Sequence, residues 1–353
     1  MKKTLMKGNE AIAEAAIRAG CKCYFGYPIT PQNEIGAYLS EHLPAKGGVF
    51  LQAESEIGAI NMIYGCAATG TRCMTSSSSP GISLKTEGIS YMVGADLPCV
   101  LVSVQRGGPG LGTIQPSQAD YSQATKALGH GDMFVPVFAP YSVQEMVDLT
   151  SEAFELAEEF CTPVMILIDG LMGQMMEPVS FDALGATPAP KKFDWATDGH
   201  ENSREKRTIT SLRLHAEELE VAVNERAKRL EVLKQTRTRA QSVNTDDADI
   251  VVVAYGTSAR VIQSAMEMAR AEGLKVGTFR PITVSPFPVK ELREATKNAK
   301  QVLVVEMSMG QMIADVKVAL EYNKPVEFYG RQGGFVPGPQ EILEKIKTMG
   351  GAK

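Results

Sequence analysis

The sequence predicts an α/β protein of two units, each with a largely parallel sheet covered by helices on its faces. Three observations carry this. Short apolar runs alternate with helix-patterned segments through residues 9–168 and again through 250–329, the spacing of βαβ units. Residues 98–104 and 250–255 are nearly unbroken apolar runs, as expected of strands buried on both faces. The chain has 353 residues, and a domain takes roughly 150. Its composition shifts after residue 180.

The first helix spans 9–19, with Gly20 a suitable residue just past its end. The apolar run 23–25 is a strand stopped by Gly26-Tyr27-Pro28. Pro31 suits a helix's first turn, where no N–H is needed, so the next helix spans 31–42. Residues 49–51 form a strand, 55–69 a helix of small residues and 72–75 a strand. A serine-rich turn at 76–79 leads through Pro80-Gly81 into a helix ending at 94. Strand 98–104 is followed by a Gly/Pro/Gln loop, 105–119, then strand 134–138, helix 142–159 and strand 163–168. Residues 181–202 hold the only tryptophan, Trp195, and little periodicity. A charged helix over 212–240 places Leu212, Ala216, Leu219, Val223, Ala227, Leu230 and Leu233 on one stripe. That stripe either packs on a domain or meets a coiled-coil partner. The second unit runs strand 250–255, helix to 272, strand 275–279, helix 288–298, strand 301–306, helix 309–322 and strand 327–329. The expected division is 1–180, a linker at 181–248, and 249–353.

Composition narrows the function classes. The hydrophobic share is 44%, the charged share 22% and the net charge −5. This is ordinary globular composition, and its charge speaks against nucleic acid or an anionic membrane surface as partner. Cys21, Cys23, Cys66, Cys73, Cys99 and Cys161 form no C-x-x-C pair, so no metal or cluster site is expected here. No signal peptide or membrane-length apolar run is evident, and a reduced cytoplasm is the expected compartment.

Four strand-to-helix turns hold the candidate chemistry. Tyr27-Pro28-Ile29-Thr30-Pro31 lies where α/β proteins bind ligands. Thr30 either caps the next helix or contacts a ligand. Glu54-Ser55-Glu56-Ile57-Gly58-Ala59 puts two acids in a helix's first turn, which the macrodipole favours whatever their use. The small residues that follow suggest close packing, so a carboxylate there can be desolvated and perturbed. In Gln105-Arg106-Gly107-Gly108-Pro109-Gly110-Leu111-Gly112 a lone arginine precedes a glycine loop. It either forks onto a carboxylate or phosphate, or is a solvated surface residue. No Gly-Lys-Ser/Thr follows, so this is not a Walker loop. Gly256-Thr257-Ser258 either holds a phosphate or is a plain turn. His42, His130, His200 and His215 lack metal spacing, and only His130 sits in a candidate functional loop.

Taken together, Tyr27-Pro28-Ile29-Thr30-Pro31, Glu54-Ser55-Glu56-Ile57-Gly58-Ala59, Ser79-Pro80-Gly81 and Arg106-Gly107-Gly108-Pro109 resemble the alpha subunit of 2-oxoacid:ferredoxin oxidoreductases. Residues 249–345, with Tyr255-Gly256-Thr257, Arg280-Pro281-Ile282 and Pro286, look like the transketolase C-terminal-type domain that follows in that family. The resemblance implies a thiamine diphosphate-binding, pyrimidine-side domain in the first unit. It implies oxidative decarboxylation of a 2-oxo acid, coupled to coenzyme A, with electrons passed to ferredoxin. It makes Glu56 the carboxylate on the pyrimidine nitrogen and Arg106 the partner of the substrate carboxylate. Thr30 would lie near the oxo group. Pro28, Ile29 and Ser79 would lie on the cofactor side, and Gly108 and Leu111 on the substrate side.

The same resemblance places magnesium and an iron–sulfur cluster on partner subunits, and no metal on this chain. The sequence has no Gly-Asp-Gly followed by Asn about 25–30 residues later to hold magnesium. The implied partners are a beta subunit carrying the diphosphate and magnesium half, gamma and ferredoxin-like subunits, and ferredoxin. Gly110-Leu111-Gly112, where 2-oxoglutarate-type relatives place Ser-Thr-Gly, resembles the branched-chain, 2-oxoisovalerate group. The alternatives are a 2-oxoglutarate enzyme, a non-redox thiamine-dependent decarboxylase, and a non-catalytic subunit that kept the fold.

Overall fold

A computed structural model describes residues 3–350. In chain order it shows β1 (Thr4–Lys7), α1 (Gly8–Arg18), β2 (Cys23–Gly26), α2 (Asn33–His42), β3 (Val49–Gln52), α3 (Glu56–Ala68), β4 (Cys73–Ser77), α4 (Ser79–Gly94) and β5 (Cys99–Gln105). Then come α5 (Tyr121–Thr125), β6 (Val137–Phe138), α6 (Val143–Phe160), β7 (Pro163–Asp169), α7 (Gly170–Gln174) and β8 (Met176–Val179). The long helix α8 (Ala216–Thr236) leads to β9 (Ala240–Val243), β10 (Ile250–Val253), α9 (Gly256–Ala271), β11 (Val276–Pro281) and β12 (Thr283–Ser285). The chain ends on α10 (Val289–Thr296), β13 (Gln301–Glu306), α11 (Met312–Ala319), β14 (Val326–Gly330) and α12 (Pro339–Met349).

Seven strands form one sheet in the order β12-β6-β7-β5-β4-β2-β3. All its pairs are parallel except β12 with β6. β4, β5 and β7 are buried along their whole length, as unbroken apolar strands between helix layers should be. The two-residue period of β5 sorts its side chains. Val100, Val102 and Val104 pack with Ile12, Leu39, Met146 and Phe154 from α1, α2 and α6. Leu101 points the other way, to Ile60, Ile63, Ile89 and Met92 of α3 and α4.

The second sheet has the order β14-β13-β10-β11-β9, parallel except for β9. One face joins the first unit's core through Tyr121, Ala139, Val251, Val253 and Phe279. The other packs Val252 and Val305 against Ile262 of α9 and Ile346 of α12. β12 crosses from the second unit to the edge of the first sheet, where Ala139 N–H also donates to the Ile282 carbonyl at 2.8 Å.

Several expectations are corrected. α2 starts at Asn33 rather than 31, with Gln32 at its N-cap position and no side-chain cap. Thr30 therefore does not cap it; its hydroxyl only accepts from Asn33 Nδ2 at 3.4 Å. The charged helix is shorter than 212–240, because residues 240–243 leave it to form the β9 edge strand. Its stripe is buried only at the end. Leu230 and Leu233 are covered, whereas Leu212 and Leu219 are exposed. Buried Arg226 clamps the helix, donating to the Gly94 carbonyl at 3.2 Å and to Asp96 at 3.1 Å. Strands β1, β8, β9 and β12 and helix α12 were not foreseen; all but α12 are short and lie at sheet edges or in a two-stranded ribbon.

Candidate active site

The loops after β2, β3, β4 and β5 meet at the carboxyl edge of the first sheet, and they bring most of the expected residues together. Ser55 caps α3, its hydroxyl accepting from Gly58 N–H at 3.1 Å. That cap sends the two neighbouring acids to different environments. Glu54 is exposed, with the Ser55 hydroxyl 3.4 Å away. Glu56, the first residue of the helix, is 6% exposed and turns toward α4. Among the described residues no donor is hydrogen-bonded to its carboxylate. Gly81 makes the space: a Cβ there would lie 2.5 Å from Glu56 Oε1 and 2.1 Å from the Ser77 hydroxyl.

Arg106 follows β5 and is 8% exposed. Its guanidinium donates to the Thr30 carbonyl at 2.9 Å and the Leu111 carbonyl at 3.2 Å. Nε is buried with no partner. Thr30, Arg106 and Leu111 thus form one cluster, although Leu111 contributes its carbonyl and its side chain is 83% exposed at the loop tip. The loop closes because Thr113 N–H donates to the Gly107 carbonyl at 2.8 Å. Gly112 is required there. Its φ is +55°, and a Cβ would fall 1.8 Å from that same carbonyl oxygen. Gly108 is exposed on this loop.

The Ser79 hydroxyl is engaged inside the protein. It lies 2.5 Å from Asp120 and accepts from Arg106 N–H at 3.0 Å. Asp120 is held above the usual carboxylate range by burial, opposed by the Ser79 bond and the Arg106 charge. The Ser77 and Ser78 hydroxyls and Gln105 Nε2 are buried without partners. Pro28 is exposed and Ile29 half-buried. Pro28 lines a hollow of about 260 Å³ with Tyr24, Gln32 and Phe50. Glu56 and Arg106 do not line this hollow.

Three residues escaped the sequence reading. Asp120 and Gln118 lie in a polar loop with no periodic signal. Fully buried Gln118 joins the two units: its Nε2 donates to the Tyr255 carbonyl at 2.7 Å, and its Oε1 accepts from Ser258 and Met307 N–H. Lys85 had a readable signal, since it stands four residues after Gly81 and three before Gly88 in a small-residue helix. Two other candidates lie elsewhere. Gly256-Thr257-Ser258 opens α9 against the first unit, with Gln118 Nε2 and Asp169 Oδ2 within 3.1 and 3.7 Å of a Cβ on Gly256. That end faces side chains of this chain. His130 packs edge-on to Tyr91, away from the cluster. Among the described residues no group of three His, Cys, Asp or Glu side chains is placed to hold a metal ion. Among them also, no helix is long and apolar enough to cross a membrane.

Comparison with known proteins extends this geometry. A family model described as pyruvate flavodoxin/ferredoxin oxidoreductase, thiamine diP-bdg, matches residues 14–253. A second, pyruvate:ferredoxin oxidoreductase core domain II, matches residues 248–342. The ketoisovalerate oxidoreductase subunit VorB of Methanothermobacter thermautotrophicus is 48% identical over 99% of both chains. The 2-oxoglutarate synthase subunit KorA of Methanothermobacter marburgensis is 37% identical over 98% of both. A solved 2-oxoglutarate:ferredoxin oxidoreductase from Magnetococcus marinus, with 2-oxoglutarate, coenzyme A and succinyl-CoA bound, matches with a TM-score of 0.86 and 25% identity. The match covers 98% of this chain and 65% of that one.

Proposed function

The chain belongs to the 2-oxoacid:ferredoxin oxidoreductase family as one of its subunits, and from that premise we propose that it is the pyrimidine-side subunit of a branched-chain enzyme. The reaction is coenzyme A-dependent oxidative decarboxylation of 2-oxoisovalerate to the acyl-CoA and carbon dioxide, with the electrons passed to ferredoxin. The full-length 48% identity to a ketoisovalerate oxidoreductase subunit carries this reading.

The site residues fit thiamine diphosphate. Glu56 offers a sheltered carboxylate without a donor, beside a space that a Cβ at Gly81 would fill. Buried Ser77, Ser78 and Arg106 Nε lack partners, which suits an edge completed by a polar ligand. When bound, thiamine diphosphate supplies the electron sink for decarboxylation. Glu56 holds and returns a proton at the pyrimidine ring nitrogen, the role for which a sheltered acid is suited. Pro28 and Ile29 flank the cofactor side. Ser79 acts indirectly, fixing the Arg106 backbone. Arg106 turns its free N–H groups to the substrate carboxylate while two carbonyls hold the guanidinium plane. Thr30 presents its hydroxyl near the oxo group, and Gly108 and Leu111 border the substrate's aliphatic end.

We place the diphosphate, magnesium and iron–sulfur parts on a beta subunit, with gamma and ferredoxin-like subunits completing a cytoplasmic complex. Residues 1–180 and 249–353 are the two functional units, connected through 181–248. The test is dye reduction with coenzyme A, comparing 2-oxoisovalerate, 2-oxoglutarate and pyruvate. The co-expressed complex should favour 2-oxoisovalerate, and the isolated chain should not turn over. A preference for 2-oxoglutarate removes the substrate assignment. Turnover by the isolated chain removes the half-site model.

A further inference from the structure

Helix α8 buries only Arg226, Leu230 and Leu233, which stand four and three residues apart on one face. On the opposite face Val221 is 57% exposed and Val232 53%. Eleven residues are close to three full turns, so these two valines share a stripe. Between them the stripe carries Glu225 and Lys228, both exposed. Among the described residues neither forms an ion pair, and none of the roles above uses them. Charge divides the helix at its middle. Residues 216–225 hold four acids and no base, whereas residues 226–236 hold four bases and one acid. The macrodipole favours acids in a helix's first turn. That accounts for Glu217 and Glu218 but not for Glu225, which lies halfway along.

We infer that this stripe pairs antiparallel with the α8 stripe of a second copy of the chain, about a two-fold axis level with the Arg226–Ala227 bond. In that register Val221 faces Val232 of the copy and Glu225 faces Lys228, and the two-fold makes each contact twice. The acidic half of each helix lies along the basic half of the other. A parallel pair would instead set acid on acid and base on base. The ends match as well. Leu214, just ahead of the helix, is 81% exposed, and this register brings it level with residues 238–239 of the copy. Thr238 lines a hollow of about 580 Å³ with Phe134 and Phe287. Glu231 and Gln235 also line it. They stand three residues from Lys228 and Val232, so the hollow borders the stripe. A leucine knob at one end of α8 and an apolar hollow at the other are what a self-complementary surface requires.

The measurement is sedimentation of the purified full chain over a concentration series, with the co-expressed complex run beside it. One helix pair with a leucine knob at each end is a small interface, so the dimer should dissociate at about 1–100 µM. Glu225→Lys sets bases against Lys228 of the copy, and Lys228→Glu sets acids against Glu225. Each reversal acts at two symmetric contacts and should raise the dissociation constant about tenfold. The chain with both reversals, Glu225→Lys and Lys228→Glu, should pair as the wild type does. The two single variants mixed in equal amounts should form the mixed dimer in preference to either self-pair. Leu214→Asp should weaken pairing without help from either reversal. All these side chains are exposed, so the thermal midpoint of each variant should stay at the wild-type value.

A chain that stays monomeric up to about 100 µM overturns the inference. So does a dimer that neither single reversal weakens, because it forms through another surface. Weakening by the single reversals without recovery in the double one overturns the antiparallel register, and the inference with it. If the reversals release a partner subunit from the complex while the chain itself stays monomeric, the stripe belongs to that subunit and self-pairing is overturned. The reaction assigned to the site is untouched by any of these outcomes, since α8 supplies none of its residues.

Discussion

Arg106 has five N–H donors, and the fold uses two of them, on the carbonyls of Thr30 and Leu111. The rest form a pre-aimed fork whose Nε is buried without a partner. An ammonium cannot keep both tethers and also present two parallel donors. Arg106→Lys should therefore damage the enzyme about as much as Arg106→Ala. A charge-assisted contact contributes about 1.5–3 kcal/mol, or roughly tenfold to a hundredfold in kcat/KM. Thiamine diphosphate binding should hardly change. Wild-type kinetics in Arg106→Ala would remove the carboxylate clamp. Glu56 and Glu54 make a second comparison. Glu56→Gln keeps size but loses the titrating group, and should abolish turnover in a complex that still assembles. Glu54→Gln should act mildly, because that side chain faces solvent; reversed effects would mean the acid is wrongly placed. At this scale the sequence spoke through residue type. A carboxylate heading a small-residue helix and an arginine before glycines are chemically legible. Whether Leu111 offers a side chain or a carbonyl depends on the fold of a loop tip, which no periodicity encodes.

Helices and strands were legible where a periodic apolar pattern met a buried layer. β5 and β7 are continuous apolar runs between two helix layers, and both were found within a residue or two. β9 and β12 were missed because edge strands are short and their ladder partners come from distant sequence. The α8 stripe repeats evenly along the sequence, yet burial depends on what lies beneath, and the helix buries side chains only from Arg226 onward. Leu233 is fully buried and packs with the α6 core, whereas Leu219 is 47% exposed. Leu233→Ala should cost about 2–5 kcal/mol through lost burial and the cavity left. Leu219→Ala should fall within about 0.5 kcal/mol. Urea unfolding of the two variants measures the difference, and equal costs would mean that α8 does not dock by its C-terminal end.

Across the whole molecule the two sheets share one core, and the polar junction between them reaches the candidate site by a traceable chain. Gln118 bonds the Tyr255 carbonyl, the Ser258 hydroxyl and Met307 N–H, and its own N–H donates to the Met307 carbonyl at 2.9 Å. Two residues on, Asp120 bonds Ser79, which accepts from Arg106 N–H. The sequence could not show this, because a glutamine in a Gly/Pro/Gln loop looks the same whether solvated or enclosed between units. Gln118→Leu keeps similar bulk and leaves three buried polar groups short of a partner, at about 1–3 kcal/mol for each group not resatisfied. The loss falls on the junction, so residues 115–121 and 306–312 should exchange amide hydrogens faster, while β5 and β7 keep their protection. Loosening the loop also loosens the backbone from which Arg106 is aimed, so KM for the 2-oxo acid should rise more than kcat falls. Faster exchange with unchanged KM would mean that Arg106 is aimed by its own tethers to Thr30 and Leu111. Unchanged exchange at 115–121 and 306–312 would mean that the shared apolar core, through Tyr121, Ala139 and Val284, holds the units together without the glutamine.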